Sequence, residues 1–174
     1  QGLGDAVHFA RYAAVLKERY DCRVTLVCPK PLMPLLGTCK GIDTLVAKSD
    51  DPGPFDVFAP LLDLPAVLGD TPETFPADIP YLSADPALTD RWKEELDAWG
   101  GFRIGIAWQG SRKNHADVIR SIPLAAFEPL GKLRGVRLFS LQKGDGVEQL
   151  ADAPACLDPV DLGDRIDEET GAFM

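Results

Sequence analysis

The sequence predicts an α/β protein made of two units, each built around a mostly parallel β-sheet with helices on both faces. Short apolar, β-branched runs alternate with segments of helical periodicity along most of the chain. The loops between these segments are short, and this order favours parallel strands joined by crossover helices. A proline-rich connector and a single helix, over residues 62–99, separate two such sets of elements.

The first unit opens on a glycine turn followed by a helix. Gly2-Leu3-Gly4-Asp5 precedes a helical pattern that we expect to end near Asp21. Pro29, Pro31 and Pro34 confine the next helix to a short piece around 32–36. Apolar runs predict strands at 23–28, 42–47 and 55–61.

A helix is expected to link the two units. Asp85 is a favoured N-cap residue and Pro86 is favoured at the first helical position, so the helix should begin there. It should end at Gly100-Gly101. The residues expected on its buried face are Leu88, Trp92, Leu96 and Trp99.

The second unit begins at Phe102, and a polar loop at 109–121 divides its first strand from its first helix. Trp108, at the end of that strand, is expected in the core. The predicted elements are strands at 103–108, 136–141 and 160–162 and helices at 123–133 and from Val147. The unit is shorter than the roughly 100–150 residues of a usual domain. No strand precedes Gly2 either, so we expect both sheets to be truncated.

The chain is acidic, which limits its partners. Eighteen Lys and Arg residues stand against 27 Asp and Glu residues in 174 residues, for a net charge of −9. Binding to a nucleic-acid backbone or to anionic lipid depends on clustered cations, so we expect neither. Any phosphate site must be local, built from a few cations and backbone N–H groups.

The cysteines and the hydropathy of the sequence indicate the cellular compartment of the protein. The four cysteines form no C-x-x-C pair, and with only two histidines we expect no metal site. No apolar run approaches the roughly 20 residues of a membrane span, and no signal-peptide pattern is present. We therefore expect a cytoplasmic protein with reduced thiols.

The opening turn has the geometry of a phosphate- or substrate-facing loop before a helix. It does not complete a dinucleotide fingerprint, because Val7 stands where the third Gly should be. Cys28-Pro29-Lys30 occupies the place of the acidic ribose-binding residue. These departures weigh against a nicotinamide-dependent oxidoreductase.

Asp5 stands at the start of the first helix, where the helix dipole stabilises an anion. Its position alone favours a capping role. The alternative is a general base, since ligands bind at the carboxyl ends of parallel strands. His8 lies one turn further on and either supports Asp5 or is an ordinary polar helix residue.

The loop at 109–121 concentrates three cations in an acidic chain: Arg112, Lys113 and Arg120. Arg120 is the one expected to bind a diphosphate, because Ser121 and Pro123 place it at a helix opening. Glu148 is either a ribose-binding carboxylate or an ordinary surface residue.

Several stretches together resemble a known family. Gly4-Asp5-Ala6-Val7-His8 is similar to the G-D-x-x-H signature of bacterial heptosyltransferase-like glycosyltransferases. Further stretches resemble a branch in which this domain follows tetratricopeptide repeats, a distant relative of the protein O-linked N-acetylglucosamine transferases. They are residues 2–12, Ile106-Ala107-Trp108-Gln109-Gly110, Arg120-Ser121-Ile122-Pro123-Leu124 and Ser140-Leu141-Gln142-Lys143-Gly144.

The resemblance implies a GT-B architecture, a pair of Rossmann-type sheets. Residues 1–82 would form the acceptor-side domain and its connector, 83–101 the linker helix, and 102–174 the first part of the nucleotide-sugar domain. The first strand, the later donor-site segment and the tetratricopeptide repeats of the family are absent from this sequence.

The implied activity is an inverting transfer from a nucleotide-diphosphate sugar, which serves as substrate, with no cofactor and no bound metal. The acceptor would be a protein, a polysaccharide or a lipid-linked sugar. Asp5 would be the general base, Arg120 would bind the donor diphosphate and Glu148 the donor ribose. The other substrate contacts would be Gly4, His8, Gly110, Ser121 and Gln142. The alternative is a non-catalytic module of the same fold that binds a nucleotide sugar or serves as a scaffold.

Overall fold

The computed structural model describes residues 2–167 and confirms the α/β class. The described chain divides between Thr89 and Asp90 into two compact units. Each unit holds one small parallel sheet, of two strands in the first and three in the second. No helix within the described range is long and apolar enough to cross a bilayer.

The first unit packs its helices against a two-stranded sheet. Its elements are α1 (Leu3–Phe9), α2 (Tyr12–Tyr20), β1 (Thr25–Cys28), α3 (Met33–Leu36), β2 (Thr44–Ala47), α4 (Leu64–Leu68) and the start of α5 (Pro86–Asp97). Strands β1 and β2 run parallel, with Thr25 opposite Thr44. Its core consists of Ala6, Ala10, Cys28, Leu32, Leu36 and Cys39.

The predicted first helix is broken in two at Ala10 and Arg11. Two side chains donate hydrogen bonds to carbonyl groups that, in an unbroken helix, would accept from backbone N–H groups of the next turn. The Tyr81 hydroxyl donates to the Val7 carbonyl at 3.1 Å, and Nε of Arg11 donates to the His8 carbonyl at 2.9 Å. The second piece ends as predicted, because Asp21 adopts the left-handed conformation that stops a helix.

The strand predicted at 55–61 is wrong. Residues 55–60 form neither helix nor strand, and Phe55, Val57 and Phe58 are 62%, 87% and 79% exposed. A strand forms only where a neighbour pairs with its backbone N–H and C=O groups. The described sheet of this unit contains β1 and β2 alone, so the apolar run has no partner strand.

The second unit surrounds a three-stranded parallel sheet in the order β3-β4-β5. Its elements are β3 (Phe102–Ile106), α6 (Asp117–Arg120), α7 (Glu128–Gly131), β4 (Val136–Ser140) and β5 (Val160–Asp161). The three strands confirm the prediction. Trp108 is buried, as expected, in a core with Ile106, Leu124, Leu138 and Leu157.

The helix predicted at 123–133 is shorter and divided. A 3-10 turn at Leu124–Phe127 precedes α7. Pro129 has no N–H to donate and its ring crowds the preceding turn, so one continuous helix cannot form across it.

The linking helix α5 begins where the sequence predicts. Oδ1 of Asp85 accepts hydrogen bonds from the N–H groups of Ala87 and Leu88, at 2.7 and 3.1 Å. The tryptophans of this helix are less buried than the sequence predicts. Trp92 is half-buried, and Trp99 is 46% exposed. Trp99 contacts β4 through the Arg137 guanidinium and the Phe139 ring.

Candidate functional site

The candidate site lies in the second unit, at the carboxyl edge of its sheet. Strands β3 and β4 are parallel, so the loops that follow them leave the sheet at the same edge. A cavity of about 620 Å³ opens beside the loop after β3. The residues that line it are Gln109, Arg112, Asn114, His115, Asp117, Val118, Ser121, Ile122, Pro123 and Gln149.

Gln142 ties the two loops together from a buried position. Its Oε1 accepts hydrogen bonds from the N–H groups of Trp108 (2.9 Å) and Gln109 (3.0 Å). Its Nε2 lies within hydrogen-bond distance of the carbonyls of Gln109, Lys143 and Asp145, at 2.9, 3.3 and 2.7 Å. Both ends of the amide are therefore engaged with backbone, and Gln142 positions the loops.

Asp117, Ser121 and Gly110 form a second set of contacts. The Ser121 hydroxyl donates to Oδ1 of Asp117 at 2.6 Å and accepts from the Gly110 N–H at 3.0 Å. A Cβ at Gly110 would lie 2.8 Å from Oδ1 of Asp117 and from Nη2 of Arg120. A side chain at 110 would therefore displace the Asp117 carboxylate and the Arg120 guanidinium from their present positions.

The predicted loop at 109–121 contains α6, and Arg120 is the last residue of this helix, so the expected place of Arg120 at a helix opening is wrong. Its side chain lies over Gly110 and remains half exposed, with Nε 3.9 Å from Oδ1 of Asp117. The cavity wall continues as a chain of side-chain amides. Nε2 of Gln149 donates to Oε1 of Gln109 at 3.1 Å, and Nε2 of Gln109 donates to Oδ2 of Asp117 at 3.4 Å. This chain ends on the Asp117 carboxylate.

Glu148 and Arg112 form an ion pair between the two loops. The second oxygen of Glu148, Oε2, accepts the Gly146 N–H at 2.9 Å, so both carboxylate oxygens are engaged. Both side chains of the pair are more than half exposed, and such pairs contribute little to stability. Arg112 lines the cavity; Glu148 is not among its lining residues.

The structure thus brings Gly110, Arg120, Ser121, Gln142 and Glu148 to one edge of one sheet. Sequence reasoning missed Asp117, which is buried and lines the cavity. One signal was available, because Asp117 and Ser121 are four residues apart, the spacing that places two side chains on one face of a helical turn.

The remaining predicted residues lie in the first unit, on or beside α1. Oδ2 of Asp5 accepts a hydrogen bond from the Gly2 N–H at 2.8 Å, which caps the helix. His8 is exposed and stacks on the Phe75 ring, with centroids 5.2 Å apart. A Cβ at Gly4 would meet nothing within 4 Å, so this glycine is not required by packing.

Two carboxylates of the site are held in their charged form. The hydrogen bond from the Ser121 hydroxyl lowers the pKa of Asp117 from its ordinary value of 3.8. The hydrogen bond from its own backbone N–H, and then the Arg112 guanidinium, lower the pKa of Glu148 from 4.5.

These shifts predict how the stability of the second unit depends on pH. A carboxyl whose pKa is lowered on folding stabilises the fold above its unfolded pKa, and this stability is lost as pH falls through the folded pKa. We expect the free energy of unfolding to change little between about pH 7 and 5 and to fall below about pH 4. All three tryptophans, Trp92, Trp99 and Trp108, lie in this unit, so urea unfolding followed by tryptophan fluorescence measures it.

The variant Asp117→Asn should show a smaller acid loss than the wild type. Asp152→Asn, at an exposed position of the same unit, is the matched control and should follow the wild-type curve. A large loss of stability already between about pH 7 and 5 would contradict the assignment, because these carboxyls do not titrate there.

Within residues 2–167, no group of three or more His, Cys, Asp or Glu side chains is arranged to hold a metal ion. The four cysteines are free thiols. Comparisons of the chain with models of known protein families, with curated proteins and with solved structures found no match.

Proposed function

We propose that this chain belongs to an inverting, metal-independent glycosyltransferase of the GT-B type that uses a nucleotide-diphosphate sugar. The second unit would bind the donor, and the first would supply Asp5 as general base. The observation that carries the proposal is the cavity at the carboxyl edge of the parallel sheet, which Arg112 and Asp117 line. Arg120 is not among its lining residues, but its Nε lies 3.9 Å from Oδ1 of Asp117. Ligands bind at this edge in open α/β sheets, and the volume falls in the range of small-molecule sites.

The chemistry assigned to these residues is a single displacement. Asp5 takes the proton of an acceptor hydroxyl as its oxygen attacks the anomeric carbon. The bond from that carbon to the diphosphate breaks on the opposite face, so the configuration inverts and the nucleoside diphosphate leaves. Arg120 stabilises the negative charge that grows on the leaving group. A cytoplasmic protein, polysaccharide or lipid-linked sugar would supply the hydroxyl.

One observation favours a second candidate, a non-catalytic module that binds a nucleotide sugar. The Asp5 carboxylate caps α1 through the Gly2 N–H. Capping alone accounts for a carboxylate at this position, and it requires no reaction.

Arg120→Ala tests the donor site. We expect it to weaken binding of nucleoside diphosphates about 10- to 100-fold, because each charge-assisted hydrogen bond to phosphate contributes about 1.5–3 kcal/mol. Binding of the corresponding nucleosides should change little. Calorimetry with UDP, GDP and ADP, and with NAD as a control ligand, measures both effects.

The matched control for this test is Arg134→Ala. Arg134 is exposed and belongs to the same unit, but it precedes β4 and so stands at the amino edge of the sheet, away from the candidate site. Equal diphosphate affinities in the wild type and Arg120→Ala would refute the role of Arg120. Equal losses in the two variants would point to a general effect of charge.

A further inference from the structure

Two carboxylates at the sheet edge are candidates to bind the hydroxyl groups of a ligand, and the structure separates them. Glu148 is held by Arg112 and by the Gly146 N–H, and it does not line the cavity. Asp117 lines the cavity, although its side chain is only 11% exposed. A ligand inside the cavity therefore meets Asp117.

Asp117 keeps acceptor capacity for such a ligand. A carboxylate has about four lone-pair sites. Oδ1 accepts one short hydrogen bond, from Ser121 at 2.6 Å, and Oδ2 accepts one long hydrogen bond, from Gln109 at 3.4 Å. Oδ2 is therefore the less satisfied oxygen. Hydroxyl groups donate to ionised carboxylates in short, strong hydrogen bonds.

Part of the cavity lining is apolar. Val118, Ile122 and Pro123 line it together with Asp117, and Val118 is 85% exposed while Ile122 is 48% exposed. A cavity that is lined by both a carboxylate and aliphatic side chains suits a ring that has hydroxyl groups on its edge and C–H groups on its face.

We propose that Asp117 is the specificity-determining residue of this cavity, where its carboxylate accepts hydrogen bonds from neighbouring hydroxyls of a sugar ring. The ring is either the ribose of a nucleotide or a free or transferred hexose, since both present the same chemistry. For the nucleotide source the inference rests on the proposed function; for the free sugar it does not. Ser121 and Gln109 position the carboxylate.

The experiment measures binding to the full chain with two sets of probes. The first set is UDP, GDP and ADP beside their 2′,3′-dideoxy counterparts. The second set is glucose and N-acetylglucosamine, followed by saturation-transfer NMR. We expect at least one hydroxyl-bearing probe to bind the wild type and to bind Asp117→Asn about tenfold more weakly or worse.

The control variants are Asp152→Asn, which makes the same change of charge at an exposed position, and Glu148→Gln, which tests the rival carboxylate. Asp152→Asn should bind the probe within about twofold of the wild type. Glu148→Gln should lose less affinity than Asp117→Asn. If Asp117→Asn does not fold, the wild type still gives the answer with nucleotides, because a dideoxy nucleotide should bind about tenfold more weakly than its parent. For sugars the same test uses Asp117→Glu, which keeps the charge but moves it by one methylene. This variant should bind the sugar about tenfold more weakly than the wild type.

The outcomes distinguish this inference from the proposed function. Sugars that bind through Asp117 while no nucleotide binds would support the inference and refute the nucleotide-sugar donor site. Nucleotides that bind through Arg120, with dideoxy forms equally tight and Asp117→Asn unchanged, would support the donor site and overturn the inference. Failure of both probe sets to bind the wild type, or a loss in Glu148→Gln equal to that in Asp117→Asn, would also overturn it.

Discussion

Asp5→Asn is expected to lower the rate of sugar transfer by about 10²–10⁴-fold while leaving nucleoside-diphosphate affinity unchanged. The substituted amide cannot take a proton from the acceptor hydroxyl, so the contribution of general-base catalysis is lost. The amide oxygen of the introduced asparagine can still accept the hydrogen bond from the N–H of Gly2, the N-cap residue, because it takes the place of the carboxylate oxygen. Release of nucleoside diphosphate from a nucleotide sugar, in the presence of protein, polysaccharide and lipid-linked acceptors, measures the rate.

Asp85→Asn is the matched control for this prediction. Asp85 also caps a helix with its carboxylate, at the start of α5, and no reaction is assigned to it. It should change neither transfer nor binding. If the wild type binds a nucleotide sugar but transfers to no acceptor, or if Asp5→Asn transfers at the wild-type rate, the non-catalytic module becomes the better account.

Gln142→Leu is expected to destabilise the second unit by about 3–5 kcal/mol, a loss typical of a broken buried polar network. Leucine fills the space but leaves the N–H groups of Trp108 and Gln109 and the Asp145 carbonyl without their partner. Each buried polar group left unsatisfied costs about 1–3 kcal/mol. Urea unfolding followed by tryptophan fluorescence measures the loss in this unit.

Gln149→Leu is the matched comparison, because it makes the same substitution in the same unit at a half-buried site. It removes the acceptor of a single backbone group, the Leu124 N–H, so we expect a loss of about 1 kcal/mol. Equal losses in the two variants, or a loss below about 1 kcal/mol for Gln142→Leu, would show that the loops are held together by other contacts.

Elements governed by neighbouring residues were predicted correctly from the sequence. Asp85 and Pro86 start α5 through contacts within three residues. Strands β3 and β4 follow from apolar, β-branched runs that pair with each other. The break between α1 and α2 was not predicted, because it depends on Tyr81, which lies 74 positions from the carbonyl that it binds.

The run at 55–61 shows that residue types alone do not predict whether a segment forms a strand. Its residues are mostly apolar, and Phe55, Val57 and Phe58 are of types that favour strands, but pairing is a property of two segments. Among the described residues no strand pairs with this run, so its backbone lacks the hydrogen bonds to a neighbour that would stabilise a strand.

By itself, the sequence determined the α/β class. It also determined that the first strand of the second unit is followed by Gly110, Arg120 and Ser121. Alternation and short loops are local properties, and parallel strands bring their carboxyl ends to one edge. Only the tertiary structure decided that Asp117 lines the cavity and that Arg112 engages Glu148. Burial and ion pairing depend on which distant side chains meet once the loops have packed, and one sequence does not reveal those distances.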